Sequence, residues 1–271
     1  MPRDALKIRL VIFDWAGTTV DHGSRGPLAP FIRAFAAQGV ELTQEEARAP
    51  MGLDKKDHVR ALLQLPELAR RWRERHARHP SEHDVEDLYA RFIPLQMEVI
   101  DEFTRLVPGL LDCVAVLRRR AVAIGATTGY FRAAADRVYA SAAAQGYKPD
   151  YCICAEEVPS GRPAPWMIFR VMEALNVFPP AVVVKVGDTV PDIGEGLAAG
   201  AWSVGVTRSS SEVGCTEQEL ELLSPAEQTQ RVAACREKLL AAGAHAVVET
   251  LVELPAMLDK LDARLALGEK P

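Results

Sequence analysis

The chain has 271 residues, 48% of them hydrophobic and 25% charged, and a formal net charge of -5 at pH 7. This is the composition of an ordinary globular protein, long enough for one large domain or for a domain with an insert. The negative charge gives no electrostatic reason to expect nucleic acid or an anionic membrane as a partner. No apolar run approaches the roughly 20 residues that cross a bilayer. The N-terminus, MPRDALKIRL, lacks the apolar core of a signal peptide, and the five cysteines are scattered, so we expect a cytoplasmic protein.

The first predicted element is a strand, KIRLVIFD (7–14), which ends on Asp14. After it come roughly 85 residues whose apolar spacing is that of helices. We predict that 23–103 form a small helical domain, inserted between core-domain segments 1–22 and 104–271. Thr43 and Glu46 form the sequence pattern of a capping box within the insert. The predicted helices of the insert are 28–39, 43–50, 55–65, 66–79 and 82–103.

Five further strands follow the insert, and most are apolar throughout, as strands covered on both faces are. They are AVAIGATT (121–128), DYCICA (150–155), AVVVKVGD (181–188), AWSVGVT (201–207) and HAVVET (245–250). Helical patterns precede and separate them, at 109–120, 131–145, 164–176, 190–199 and 217–242. Alternating strands and helices predict an α/β fold with a doubly wound parallel sheet and right-handed crossovers. No element is assigned after the last strand, and the C-terminal LALGEKP is expected to be frayed.

Polar residues stand at one edge of this predicted sheet. Ligands of open parallel sheets bind beyond the carboxyl ends of the strands, where the strand order reverses. Asp14 ends the first strand, TTGY (127–130) the second and GDTVPD (187–192) the fourth, and the loop after the third strand contains Arg162. Chance can explain one such placement, but it does not easily explain all four. We therefore expect a single functional site at this edge.

The residue types at this edge suit phosphoryl transfer. Carboxylates at two strand ends can hold Mg²⁺, which typically takes one or two protein carboxylates. Thr127, Thr128 and the backbone N–H groups after them can cradle phosphate oxygens. Arg162 can neutralise a phosphoryl group in flight, and Asp14 can be the nucleophile. Each has a structural alternative: a helix cap for Asp14, ordinary strand-end packing for the threonines, and for Arg162 an ion pair with a glutamate at 156–157.

This set of residues resembles the haloacid dehalogenase superfamily of phosphotransferases, in which a strand-end Asp, a Thr or Ser, a basic residue and an acidic pair surround Mg²⁺. The helical insert resembles the cap domain of that superfamily. Most phosphatase members carry a second Asp two residues after the nucleophile, where this chain has Ala16. The segment RAPMGLDKKDHVRAL (48–62) resembles the cap signature of the phosphonoacetaldehyde hydrolase family. FDWAGTTVD, TTGY, GYKPD, GRPAPWM and KVGDTVPD match the same family in order and spacing.

The resemblance implies cleavage of the carbon–phosphorus bond of phosphonoacetaldehyde. A cap lysine of that family forms a Schiff base with the aldehyde, so that carbon can leave as an enamine while the Asp takes the phosphoryl group. Ala16 then makes sense, because no leaving oxygen needs an acid. The resemblance also implies Mg²⁺ held by Asp14, the backbone carbonyl of Ala16 and Asp188, and a homodimer through the cap. A capped, Mg²⁺-dependent phosphomonoesterase is the alternative, against which Ala16 argues.

The cap signature contains two adjacent lysines. If 54–64 is a helix, Lys55 shares a face with Met51 and His58, whereas Lys56 shares one with Arg60. The first face is more apolar and offers a histidine for proton transfer. The position of the lysine after MGL in the family signature selects the same residue. We therefore assign the Schiff base to Lys55 and an exposed, supporting role to Lys56.

The amine of Lys55 must be partly neutral to attack an aldehyde. Apolar surroundings, a helix N-terminus and the adjacent ammonium lower its pKa, whereas Asp54 and Asp57 raise it, and the sequence does not decide the balance. His58 is a candidate proton shuttle, with plain packing as the alternative. The remaining candidates are Met51, Gly129 and Tyr130 around the substrate, with packing as the alternative for Met51 and Tyr130, and Asp192 and Thr189 as residues that support the metal site.

Overall fold

The computed structural model describes residues 6–271 of the chain. Six parallel strands form one sheet in the order β3-β2-β1-β4-β5-β6. This is the predicted doubly wound sheet, because the chain winds from β1 to one edge and then returns to β4 on the other side of β1. Each strand lies within a predicted run. The strands are β1 (Leu10–Phe13), β2 (Ala123–Thr128), β3 (Tyr151–Cys154), β4 (Val183–Gly187), β5 (Trp202–Val206) and β6 (Ala246–Val248).

Five helices follow β1 in the stretch predicted to be a helical insert. Phe31 and Phe92 stack at the centre of this group, with ring centroids 4.2 Å apart. Thr43 and Glu46 form the predicted capping box, in which the Thr43 hydroxyl accepts from the backbone N–H of Glu46. The helices are α1 (Leu28–Ala36), α2 (Gln44–Arg48), α3 (Lys55–Gln64), α4 (Pro66–His76) and α5 (Glu82–Val99).

The two segments that flank these helices lie side by side. The backbone N–H of Asp21 donates to the carbonyl of Arg105 at 3.1 Å, and that of Val107 donates to Thr19 at 2.9 Å. The chain therefore leaves and re-enters the sheet region at one place. The domain limits proposed from the sequence stay a prediction, and the first five residues of the predicted segment 1–22 lie outside the described residues.

The remaining helices cover both faces of the sheet. Alternate residues of a strand point to opposite faces, and in β1 Val11 and Phe13 join the cluster that contains α6, α7 and α12, whereas Leu10 and Ile12 pack with α8. All four side chains are fully buried. The helices are α6 (Leu110–Arg119), α7 (Arg132–Ala144), α8 (Trp166–Ala174), α9 (Val190–Ala199), α10 (Glu217–Leu222), α11 (Pro225–Ala241) and α12 (Leu254–Ala266).

Two features at the C-terminal end differ from the sequence prediction. Helix α12 was not predicted, and the expected fraying of LALGEKP is wrong for its first two residues, because Leu265 packs with the other buried leucines of α12. The helix predicted over 217–242 is two helices. Ser224 caps the second of them, with Pro225 in its first turn and Glu227 completing a capping box.

The homodimer was predicted from the family resemblance, and the apolar residues of 88–103 were only a weak hint of it in the sequence. Leu88, Phe92 and Ile100 are fully buried within the chain, and Ile93, Leu95 and Met97 are partly buried against the same cluster. Little of this apolar surface is therefore free, and the homodimer stays a prediction. Among residues 6–271, no helix is long and apolar enough to cross a membrane.

Candidate active site

Three carboxylates meet at the carboxyl edge of the central strands. The register pairs Phe13 of β1 with Ala126 of β2 and Val186 of β4, so Asp14 stands between the ends of these two neighbours. Asp188 follows β4, and Asp192 lies in the first turn of α9. One oxygen from each of the three aspartates lies within 4.8 Å of the others, and all three side chains are buried.

Burial disfavours the ionised forms of the carboxyl groups in this cluster. Desolvation raises the pKa of Asp14, and the charge of Asp192 raises it further, although Arg162 acts in the opposite direction. The pKa of Asp188 lies well above its usual range, because burial and then the charges of Asp14 and Asp192 disfavour its ionised form. A cation among these oxygens would relieve both effects.

The donor set fits Mg²⁺, a hard cation that prefers oxygen ligands. The Asp188 carboxylate is held in place by the Thr18 hydroxyl at 3.0 Å and the backbone N–H of Ser211 at 2.9 Å. No backbone N–H among residues 6–271 donates to the backbone carbonyl of Ala16. Gly17, next in the chain, has a φ of +89°, and a Cβ there would overlap the Asp188 carboxylate. The chain therefore approaches Asp188 closely at this point.

Arg162 lies in the loop after β3 and is almost completely buried among acidic groups. Its Nη2 lies 2.7 Å from the Asp14 Oδ1, and its Nη1 lies 3.1 Å from the Asp192 Oδ1. The alternative ion pair with Glu156 or Glu157 is not formed, because those side chains bond to groups of Arg132 instead. The structure thus brings Arg162 beside the candidate nucleophile.

The two threonines at the end of β2 face different surroundings. The Thr127 hydroxyl accepts from the Arg162 Nη2 at 2.9 Å and from the Lys185 Nζ at 2.8 Å, below the cavity described next. The Thr128 hydroxyl accepts from the backbone N–H of Tyr130 at 3.1 Å, and Thr128 lines that cavity. Successive strand residues point to opposite faces. Of the pair, Thr128 is therefore the one placed to contact a ligand.

A cavity separates the aspartate edge of the sheet from the start of α3. Asp14, Ala16 and Arg162 line it from the sheet side, and Met51 and Lys55 line it from the helical insert. The candidate nucleophile and the candidate amine thus face one space. The other residues that line it are Ser24, Gly52, Leu53, Thr128, Gly129, Tyr130 and Thr189.

Lys55 is the first residue of α3, and its side chain is buried with only 6% of the residue exposed. Burial lowers the pKa of Lys55 to about 8, against the charge of Asp14, which raises it. The amine lies 4.9 Å from the centre of the Tyr130 ring. The side chain of Lys56 is 39% exposed and lies 3.3 Å from a carboxylate oxygen of Glu86. The two lysines therefore occupy the buried and exposed positions that the helix pattern predicted.

His58 lies one turn after Lys55 and is fully buried. Its ring stacks on Phe31 with the centroids 4.1 Å apart, and Nε2 lies 2.9 Å from the Ala47 carbonyl oxygen. Because a carbonyl only accepts, Nε2 carries the proton and Nδ1 offers a lone pair. Nδ1 has no hydrogen-bond partner among residues 6–271. Burial holds the pKa of His58 well below its usual range, so the ring is neutral.

Sequence reasoning missed two charged residues beneath the cavity, Lys185 of β4 and Glu195 of α9, both completely buried. The Lys185 Nζ lies 3.0 Å from the Asp192 Oδ1 and 3.2 Å from the Glu195 Oε2. A signal was available, because a lysine within a strand covered on both faces needs a buried partner. Glu195 follows Asp192 by three residues, which places both on the same helix face.

The chain is similar to proteins of one family in both sequence and structure. A family model for haloacid dehalogenase-like hydrolases matches residues 8–200. A phosphonoacetaldehyde hydrolase of Bacillus cereus is 42% identical over 257 residues, which cover 95% of this chain and 97% of the relative. The phosphonoacetaldehyde hydrolase of Syntrophobacter fumaroxidans is 43% identical over 264 residues, covering 97% and 95%. The crystal structure of a phosphonoacetaldehyde hydrolase like protein from Oleispira antarctica matches with a TM-score of 0.96 at 36% identity and covers 100% of both chains.

Proposed function

Because the chain belongs to the haloacid dehalogenase-like hydrolases and, within them, to the phosphonoacetaldehyde hydrolase family, we propose that it hydrolyses phosphonoacetaldehyde to acetaldehyde and phosphate. One observation carries the proposal: Lys55 and Asp14 line the same cavity from opposite sides. An amine can activate an aldehyde and a carboxylate can accept a phosphoryl group, so the two side chains match a substrate in which one methylene joins these two groups.

The first half of the proposed reaction takes place at Lys55. Its neutral amine attacks the aldehyde carbon, and loss of water leaves a Schiff base. A pKa of about 8 keeps about a tenth of the amine neutral at pH 7. His58 lies one turn after Lys55 in α3 and does not itself line the cavity, and its unpartnered, neutral Nδ1 is the proposed proton acceptor for the amine. Met51 and Tyr130 enclose the aldehyde end and keep water from it.

The second half takes place at Asp14. An oxygen of its carboxylate bonds to phosphorus as the carbon–phosphorus bond breaks, and the bonding electrons pass to carbon to form an enamine. Water then cleaves the aspartyl-phosphate to free phosphate. Protonation of the enamine at carbon and hydrolysis of the resulting imine free acetaldehyde and Lys55. Ala16 at the cavity wall is consistent with this route, because no leaving oxygen has to be protonated.

Charge on the phosphoryl group has to be neutralised during transfer. Arg162 lies beside Asp14, and the hydroxyl of Thr128 and the backbone N–H groups near Gly129 can donate to the remaining phosphoryl oxygens. We propose that Asp14, the Ala16 carbonyl and Asp188 hold Mg²⁺, with Asp192 and Thr189 in support. The bound ion would supply positive charge for the phosphoryl oxygens and the nucleophile.

The test uses the two neighbouring lysines as a matched pair. Borohydride added with phosphonoacetaldehyde should reduce the Schiff base and leave a stable adduct on Lys55, which peptide mass spectrometry locates. Lys55→Arg should lose both the adduct and phosphate release, whereas Lys56→Arg should keep both, because Lys56 is outside the cavity. An adduct on Lys56, or none, would contradict the mechanism. Faster turnover of phosphomonoesters than of the phosphonate would instead favour the phosphomonoesterase alternative.

A further inference from the structure

Beneath the cavity, Lys185 and Glu195 form a buried ion pair that touches neither the cavity nor solvent. Lys185 comes from the middle of β4 and Glu195 from the helix that follows it. A buried ion pair is poor evidence of stabilisation, because desolvation of the two charges offsets their attraction. The neighbours of this pair suggest another role.

Glu195 contacts the one edge of the Arg162 guanidinium that the site itself leaves free. Its Oε2 lies 3.0 Å from the Arg162 Nε and 3.3 Å from the Thr127 hydroxyl oxygen. The two terminal nitrogens of Arg162 contact Asp14 and Asp192, and Nη2 also donates to the carbonyl oxygen of Thr127 at 2.8 Å and to its hydroxyl at 2.9 Å. A planar guanidinium held at Nε cannot rotate its terminal nitrogens freely. Glu195, together with Thr127, therefore fixes the direction in which Arg162 faces Asp14.

Lys185 contacts the other polar side chains beneath the cavity, Thr127 and Asp192. Its Nζ donates to the Thr127 hydroxyl at 2.8 Å and lies 3.0 Å from the Asp192 Oδ1. It thus balances the charge of Glu195 and gives the Asp192 carboxylate a second cationic partner beside Arg162. Groups that orient a ligand or a catalytic side chain from behind often matter nearly as much as the group they orient.

We propose that Lys185 and Glu195 are a positioning pair for the phosphoryl half of the reaction. They orient Arg162 and Asp192 around Asp14 and take no part in the aldehyde chemistry at Lys55. This inference rests on the proposed function, because it assigns the pair to one of its two half-reactions. A merely structural pair would affect both half-reactions together.

The two half-reactions can be measured separately in the whole enzyme. Phosphate release from phosphonoacetaldehyde reports both halves, whereas borohydride trapping of acetaldehyde on Lys55 needs only the amine. In Glu195→Gln we expect kcat for phosphate release to fall about 100-fold with little change in KM, as for a misplaced catalytic group. Trapping by acetaldehyde should stay within about twofold of the wild type, because the amine does not contact this layer.

Two further variants serve as an independent test of the pair and as a matched control. Lys185→Met removes the other partner and should show the same split, even if one variant loses stability. Glu173→Gln is the matched control, since that glutamate also lies on a helix of the sheet region but is exposed; it should leave both rates unchanged. Equal loss of both rates in the pair variants, or loss of neither, would overturn the inference. A wild-type enzyme that releases no phosphate from phosphonoacetaldehyde would instead overturn the proposed function, and this inference with it.

Discussion

Lys55 illustrates how burial and nearby charge set the chemistry of a single residue. Removal from water lowers its pKa, while the carboxylates of Asp14, Asp54 and Asp21 act in the opposite direction. Burial is the larger effect, so the pKa falls from its usual value to about 8. The sequence named Asp54, together with Asp57, as a charge that raises this pKa, whereas Asp14 and Asp21 come close to Lys55 only in the folded chain, and the burial of the side chain decides which influence is stronger.

Asp54 allows the charge near Lys55 to be separated from the helix cap. Its Oδ1 accepts from the backbone N–H groups of Lys56 and Asp57, both at 3.0 Å, so it is the N-cap of α3. Asp54→Asn keeps the cap, because Asn and Asp cap equally well, but removes a charge that raises the pKa of Lys55. The amine then becomes neutral at lower pH. The rate of adduct formation with acetaldehyde and borohydride should rise with pH to a midpoint near 8 in the wild type and to a lower midpoint in Asp54→Asn.

The control for this prediction removes the cap as well. Asp54→Ala should shift the midpoint in the same direction and also lower the free energy of unfolding by about 1 kcal/mol, the usual cost of a lost N-cap. Asp54→Asn should stay close to the wild type in urea unfolding. An unchanged or higher midpoint in Asp54→Asn would mean that this carboxylate does not act on Lys55.

The sequence predicted which side chains lie at the carboxyl edge of the sheet better than it predicted which groups those side chains contact. Asp14, Thr128 and Arg162 could be placed at one edge because parallel strands end together. Which threonine faces the cavity could not be decided, because one residue of register in a strand exchanges the two faces. Glu195 was missed because a glutamate within a helix is usually exposed, and only the tertiary contact with Arg162 makes it otherwise.

At the level of elements, the site depends on a close contact between the loop before α3 and the loop after β2. Gly129 follows the last residue of β2, and Leu53 precedes the N-cap of α3. A Cβ at Gly129 would lie less than 3.0 Å from the carbonyl oxygen of Leu53. Because both partners are backbone, neither can rotate away. Glycine thus lets the helical insert approach the sheet closely enough to bring Lys55 over Asp14.

Gly129→Ala should therefore hold the insert away from the sheet while every side chain of the site is kept. Phosphate release should fall about 100-fold, the order of loss expected when reacting groups are displaced by about 1 Å. Trapping of acetaldehyde on Lys55 should persist, because the amine and its helix are intact. The measurement is the ratio of the two rates. Equal rates of phosphate release in the variant and the wild type would show that this contact is not needed for catalysis.

The elements that the sequence did not predict have identifiable causes. Helix α12 follows the last strand after a short 3-10 helix (Leu251–Glu253), and its apolar face contains Leu254, Leu258 and Leu261, spaced as in a helix, to which no element was assigned. The break between α10 and α11 does have a local signal in Ser224, Pro225 and the glutamate three residues after the cap. The sequence prediction treated the helical pattern over 217–242 as one helix and did not use this capping signal.

For the whole molecule, the excess of buried negative charge at the carboxyl edge of the sheet is the main reason to expect a bound cation. Four buried carboxylates, Asp14, Asp188, Asp192 and Glu195, face two buried cations, Arg162 and Lys185. When ionised, these carboxylates outnumber the two cations, and a divalent cation would offset the excess negative charge, which matters because charges in a low dielectric interact strongly. Binding of Mg²⁺ is therefore expected to be coupled to the stability of the whole fold.

The sign of this coupling follows from Asp188. A carboxyl whose pKa is raised by folding destabilises the folded state at pH values above its unfolded pKa. Mg²⁺ binds the folded state and should raise the unfolding temperature by roughly 5 °C or more at about 100 times its dissociation constant. Asp188→Asn should lose this shift and, in the presence of chelator, should unfold at a higher temperature than the chelated wild type, because one unneutralised buried charge is gone.

Scanning calorimetry with Mg²⁺ and with chelator measures both effects in one pair of proteins. Asp136→Asn is the matched control, because Asp136 is an exposed aspartate that pairs with Arg132 on the surface of α7. It should keep the full metal-dependent shift, since its charge lies outside the cluster and is screened by solvent. A shift that persists in Asp188→Asn would place Mg²⁺ elsewhere, and no shift in the wild type would mean that the folded protein does not bind Mg²⁺ at the concentrations used. The expected result, a shift that Asp188→Asn removes and Asp136→Asn keeps, would tie the metal to the same edge of the sheet as Asp14, the candidate nucleophile.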